Sequence, residues 1–329
     1  MKFLIIGGGG MVGQKLLARL AADGRLGDHS IDEVVVFDVV TARSPAAAFN
    51  IRCVEGDLAD PSTVQQLIDE RADVVFHLAA IVSGEAEADF DKGYRINLDG
   101  TRLLLEAIAR TADYCPRVVF TSSIAVFGAP FPESIGDEFF LTPLTSYGTQ
   151  KAIGELLLND FSRRGLLDGI GIRLPTICVR PGRPNKAASG FFSNIIREPL
   201  VGQEALLPVS EDVRHWHASP RSAVGFLLHA ATLPADQLGT RRNLTMPGVS
   251  VTVGEQIAAL RKIAGDDVVN RIRHEPDPAI MKMVAGWPRN FTASRAQSLG
   301  FEAESDFEQI IRVHIEDELD GMIEASADA

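Results

Sequence analysis

The chain opens on an apolar run, Phe3–Ile6, that stops in four glycines and resumes as Met11–Ala22, with apolar residues at helical spacing. A strand, a glycine turn and a helix in that order admit few folds. The spacing Gly7-x-x-Gly10-x-x-Gly13 lets the backbone turn tightly and approach a pyrophosphate. The helix start at Met11 and Val12 then offers N–H donors and the positive end of a dipole. Asp38 ends a second apolar run, Glu33–Phe37, 25 positions after Gly13. A carboxylate there hydrogen-bonds ribose hydroxyls and repels a 2′-phosphate, so NAD is expected as cofactor. Arg43, close by, keeps an NADP alternative open.

The alternation continues. Ile51–Val54, Val74–Leu78, Arg117–Thr121 and Gly169–Arg173 read as buried strands. Ser62–Glu70, Tyr94–Arg110 and Tyr147–Arg164 read as helices, the first announced by Asp60-Pro61. Continuous Val/Ile/Leu/Phe strands between helices predict an α/β fold, a doubly wound parallel sheet of Rossmann type covered on both faces. The rhythm then breaks. Pro and Gly cluster at Pro175–Pro184, and a Ser/Gly/Phe segment follows at Ser189–Ile196. Helices are expected at Ser222–Ala231, Val253–Ala264, Ala293–Leu299 and Phe307–Glu318, with a strand at Asn243–Met246. The organisation expected is a cofactor domain of residues 1–174 plus about 218–246, and a smaller C-terminal α/β substrate lobe of about 175–217 plus 247–329. The tail after Gly321 is expected to fray.

A net charge of −12 over 329 residues argues against nucleic acid or an anionic membrane as partner. Cys53, Cys115 and Cys178 are scattered without metal or disulfide spacing, which suits a reducing cytoplasm. The first residues lack a signal peptide's apolar length, and no run reaches the roughly 18 apolar residues of a membrane span. No metal site is expected. His215-Trp216-His217 places two imidazoles at alternate strand positions without a third ligand, and His77 reads as a structural residue beneath the cofactor.

Further segments carry a resemblance. They are Gly56-Asp57-Leu58, Phe76-His77-Leu78-Ala79-Ala80, Asn97-x-x-Gly100-Thr101, Thr121-Ser122-Ser123-x-x-Val126-Phe127-Gly128 and Tyr147-Gly148-Thr149-Gln150-Lys151. With the glycine loop they resemble, in order, the motifs of the extended short-chain dehydrogenases/reductases, the NAD-dependent epimerase/dehydratase family. The resemblance implies that Asp57 and Leu58 meet adenine, and that Leu78, Ala79 and Ala80 line the ribose and pyrophosphate. Asn97, Thr121, Pro175 and Thr176 join the cofactor set. It also implies a dimer built on the helices Tyr94–Arg110 and Tyr147–Arg164, for which Leu156-Leu157-Leu158 and Phe161 supply apolar surplus.

Tyr147 and Lys151, four apart, share one helix face. A neighbouring ammonium and the positive nicotinamide ring both favour the phenolate, so Tyr147 is expected to work as a general base with a lowered pKa. Ser123 would hold the substrate oxygen, and Lys151 would also bond the nicotinamide ribose. Family members acting on nucleotide sugars commonly carry Asn where Thr176 stands, and their R-D-[FY]-[IV]-H-V segment is replaced here by Arg214–Arg221. Pro175–Gly182, Ser189–Ser193 and Trp216–Arg221 instead resemble a smaller group, the D-erythronate dehydrogenases, which oxidise a short sugar acid with NAD. A compact acid needs a guanidinium clamp, for which Arg180, Arg183, Arg214 and Arg221 are the candidates. Ser83 and Ser189 join them as substrate residues. A nucleotide-sugar epimerase or dehydratase, and a non-catalytic NAD(H)-binding regulator, stand as alternatives.

Overall fold

The computed structural model describes residues 1–182 and 188–323. Arg183 and the expected frayed tail from residue 324 lie outside the described residues. Seven strands form the central sheet. They are β1 (Lys2–Ile6), β2 (Glu33–Asp38), β3 (Asn50–Glu55), β4 (Val74–His77), β5 (Arg117–Ser123), β6 (Asp168–Leu174) and the later β9 (Asn243–Thr245). Their spatial order is β9-β6-β5-β4-β1-β2-β3, all parallel. Between β6 and β9 in sequence come β7 (Thr176–Ile177) and β8 (Arg214–Ala218). They pair with each other, and β8 also pairs with β10 (Val249–Thr252).

Strand alternation divides the core. Phe3 and Ile5 point to one face of the sheet, packing with Leu16 and Leu17 of α1 (Met11–Asp23). Leu4 and Ile6 point to the other, against Leu67 of α2 (Pro61–Asp69), Leu104 of α3 (Thr101–Arg110) and Leu158 of α4 (Ser146–Arg163). Burial of each large side chain contributes about 1.5–3 kcal/mol, so the two-sided pattern fixes strand register. A separate core joins Phe192 and Ile196 of α5 (Phe191–Leu200) to Val253 and Leu260 of α7 (Val253–Ala264) and Ile310 of α8 (Phe307–Glu318). Helix α6 (Pro220–Thr232), between β8 and β9, packs its Phe226 and Leu227 with the sheet's first core.

Three expectations are corrected. The Ser189–Ile196 segment, placed where the strand–helix rhythm was expected to break, runs into helix α5, because Phe191, Phe192, Ile195, Ile196 and Leu200 recur at helical spacing and are buried. The expected helix Tyr94–Arg110 begins as a wide π-helical stretch, Tyr94–Gly100, before α3. Its Asn97 side chain accepts from Ile81 N at 2.9 Å and donates to Ile81 O, tying the turn to the loop after β4. Of the apolar surplus on α4, Leu157, Leu158 and Phe161 pack on their own sheet, and only Leu156 is turned out, 63% exposed.

Candidate active site

Open parallel sheets bind ligands beyond the carboxyl ends of their strands, where the order reverses. Here the strand order reverses between β1 and β4, and a cavity of about 470 Å³ opens there. Gly7, Gly10, Met11, Val12 and Gly13 form one wall. A Cβ on Gly13 would stand 2.5 Å from Gly7 O, so the loop closes only with glycine there. Gly7 also takes φ +88, the left-handed region glycine tolerates. No side chain caps α1, which leaves its first-turn N–H groups for an anion. That donor set fits a dinucleotide pyrophosphate. Leu78, Ala80 and Thr121 form the neighbouring wall, with Pro175 and Thr176 beyond β6.

Several residues expected at the cofactor act one step away from this cavity. The Asp38 carboxylate accepts from Gly9 N at 2.8 Å and from Val39 N at 2.7 Å, so it braces the glycine loop. Asp57 pairs with Arg95 at 2.5 Å, and this hydrogen bond holds its carboxyl below the usual range. Leu58 packs against Gly100, and Ala79 backbone crosses Gly7. Asn97 donates to Gln150 Oε1 at 2.8 Å, joining the loop after β4 to the helix that carries Tyr147. His77 is buried, with Nε2 2.8 Å from Thr101 Oγ1, and burial pushes its imidazole down to about 3.

Ser123, Tyr147 and Lys151 meet in the same cavity. Ser123 ends β5, its Oγ accepting from Ala125 N at 3.1 Å, and its side chain favours the Tyr147 phenolate. Thr145 caps α4 by accepting from Gly148 N, so Tyr147 lies in the helix's first turn. Lys151 is only 2% exposed; its Nζ donates to Thr121 O at 2.7 Å and lies 5.7 Å from the Tyr147 ring centre. The expected lowering of the tyrosine pKa by this lysine is corrected. Burial raises the Tyr147 phenol to about 12, and the cation that counters it first is Arg180. Burial also lowers Lys151 to about 7, opposed by Glu155.

Glu155 anchors this floor. It is 1% exposed, and Arg173 grips it with two donors at 2.7 and 2.8 Å while Ser122 Oγ donates at 2.5 Å. Removing one partner of such a pair strands the other charge. Glu155→Ala is therefore expected to cost about 3–5 kcal/mol in denaturant unfolding.

The substrate candidates separate. Arg180 lines the cavity, as do Ser83 and Ser189. Arg180 Nε donates to Ile177 O at 3.0 Å and Nη2 to Ser189 Oγ at 3.0 Å. Arg214, expected at the substrate, instead faces another hollow and pairs with Glu255, the first-turn acid of α7. Arg221 lies in the first turn of α6, held by Glu316 and Asp317 of α8, away from the cavity. Among the described residues no group of His, Cys, Asp and Glu could hold a metal, and no helix is long and apolar enough to cross a membrane.

His215 and Trp287 also line the cavity, although nothing had placed them there. Alternation along β8 turns His215 inward, a signal present in the sequence. Trp287 arrives from a distant loop and left none.

The model of the NAD dependent epimerase/dehydratase family matches residues 3–220. The chain belongs to that family. It is 47% identical to a D-erythronate dehydrogenase of Cupriavidus necator over 96% of this chain and 98% of that protein. It is 44% identical to one of Haemophilus influenzae over 96% and 99%. A solved structure titled as the nucleoside-diphosphate-sugar epimerase from Agrobacterium tumefaciens superposes with TM-score 0.96 at 62% identity, covering 98% of this chain and 96% of that one. The chain is thus an NAD-dependent oxidoreductase of the extended short-chain type.

Proposed function

We propose that this enzyme oxidises one hydroxyl of a short sugar acid, of the D-erythronate kind, to the keto acid. Arg180 carries the reading. Its guanidinium faces the cavity close enough to Tyr147 to favour the phenolate, and no carboxylate pairs with it among the described residues. A cation held in a desolvated site without an acidic partner suits an anionic ligand. Its place beside Tyr147 favours a short acid. In a short acid the carboxylate lies within a few bonds of the reacting hydroxyl, whereas in a nucleotide sugar the diphosphate lies a whole sugar ring away. The two named dehydrogenase relatives support the same substrate class. The structural neighbour's description as an epimerase favours the nucleotide-sugar alternative, which predicts retained NAD and no net reduction.

NAD, when bound, supplies the hydride acceptor and a positive ring beside the phenol. Ser123 holds the substrate oxygen, and Tyr147 takes the hydroxyl proton as the carbonyl forms. Lys151 keeps two donors free after Thr121 for the ribose and the tyrosine side. The reading gives the sheet to the cofactor and the region around α5, α7 and α8 to the substrate. It includes a cytoplasmic homodimer, for which the exposed Leu156 on α4 is the supporting feature.

Free four-carbon sugar acids, compared with nucleotide sugars, test the reading by NADH absorbance. Net NADH from the acids supports it, and turnover confined to nucleotide sugars overturns it. Asp38→Ala removes both the loop brace and the ribose acceptor. Hydrogen bonds to a charged group contribute about 1.5–3 kcal/mol, so the KM for NAD should rise on the order of ten- to a hundredfold. The preference for NAD over NADP should shrink in the same assays.

A further inference from the structure

We propose that Thr176 reads a second hydroxyl of the substrate, accepting its hydrogen bond because the threonine hydroxyl has no proton left to give. The inference deepens the sugar-acid reading and rests on it. It begins at Pro288, whose carbonyl can only accept. His215 Nδ1 lies 2.8 Å from that oxygen, so Nδ1 carries the imidazole proton. Burial pushes the ring down to about 4, which leaves it neutral at pH 7. Nε2 is then a bare lone pair. Thr176 Oγ1 lies 2.7 Å from it and must donate its one proton there. What the threonine hydroxyl keeps for other partners is lone pairs alone.

The arrangement is held rigidly. The His215 ring stacks on Phe192 at 5.2 Å and 5° and touches Trp287 at 5.4 Å. The parallel pairing of His217 with Thr176 fixes β8 against β7. Both Thr176 and His215 line the cavity that holds Tyr147 and Arg180. Arg180 Nε donates to the carbonyl of Ile177, the residue after Thr176, so the acceptor lies at the carboxylate end of the proposed substrate.

Two other donors could meet it. An ammonium is disfavoured because Arg180 makes the local potential positive, enough to lower the His215 imidazole further. The cofactor's carboxamide is the second, and it would show as an effect on NAD rather than on the acid. A carboxylate or keto oxygen at this point would face lone pair against lone pair. The device therefore selects polyhydroxy acids over simple hydroxy acids, because a deoxy analogue leaves a desolvated acceptor empty.

The test compares kcat/KM for a trihydroxybutanoate, the monohydroxybutanoates and a 2-amino-3-hydroxybutanoate, with the KM for NAD taken alongside. Wild type should favour the trihydroxy acid over the monohydroxy acids by roughly ten- to a hundredfold. Thr176→Val should erase most of that preference by lowering kcat/KM for the trihydroxy acid. Thr176→Ser should restore it. If Thr176→Val does not fold, His215→Phe carries the test. The ring stack stays, the threonine proton is freed, and the preference should fall. A Val variant that loses all substrates equally, one that changes only the KM for NAD, or a wild type that prefers the amino acid overturns the inference. A wild type that oxidises the acids without preference for extra hydroxyls overturns it and spares the sugar-acid reading. A wild type that oxidises no hydroxy acid overturns both.

Discussion

Tyr147→Phe is expected to lower kcat by about 10²- to 10⁴-fold, the range a positioned general base contributes. The substitution removes one oxygen from a half-buried ring and leaves its packing, so the fold has no reason to change. Helix α4 keeps its Thr145 cap, and Gly148 keeps its close approach to Ala125 O. NADH binding, read by fluorescence, should match wild type, because the glycine loop is untouched. The pH profile adds a second readout. A base acts in its deprotonated form, so wild-type oxidation should rise with pH, and the residual turnover of the Phe variant should lose that slope. Burial holds the phenol up at about 12 in the free protein, so Arg180, Lys151 and the bound cofactor's positive ring have to bring it down. A Phe variant within tenfold of wild type would sink the assignment.

The fold and the site were legible to different depths. Apolar runs such as Val34–Phe37 are buried on both faces, and a strand buried on both faces spells itself without alternation. Gly7, Gly10 and Gly13 were legible because a Cβ at the tightest of them has nowhere to go. Tyr147 and Lys151 needed only the helix period. The sign of the tyrosine's shift was not legible. It depends on how much water burial removes, and on Arg180 arriving from beyond β7, neither of which is local in sequence. The four arginines show the same limit. Arg214 and Arg180 look alike in the sequence, yet one meets Glu255 and the other meets no acid among the described residues. Only the packing of α5, α7 and α8 decides that. Helix α5 was legible in its apolar spacing but hidden by the Ser and Gly in front of it.

Arg180 therefore bears the second large prediction. Arg180→Ala should lower kcat/KM for the sugar acid by roughly 30- to 4,000-fold, corresponding to the about 2–5 kcal/mol lost when one partner of a desolvated charge pair is truncated. The effect should divide between the two constants. Loss of the carboxylate contact raises KM, and loss of the positive field beside Tyr147 lowers kcat. Arg180→Lys separates them. It keeps the charge and so recovers much of kcat, but it gives up the planar two-pronged grip, so KM stays high. A neutral polyol of the same length lacks the carboxylate, and its slow oxidation should lose only the kcat part. The net charge of −12 sharpens the contrast, since the rest of the molecule repels an acid and the attraction has to be local. Ser189 and Ile177 hold the guanidinium from two sides, so Ser189→Ala, which removes one, should raise KM in the same direction by less. If Arg180→Ala left kcat/KM for the acids unchanged while NADH binding stayed intact, the carboxylate would have to be held elsewhere, and the case for a short sugar acid would lose its physical basis.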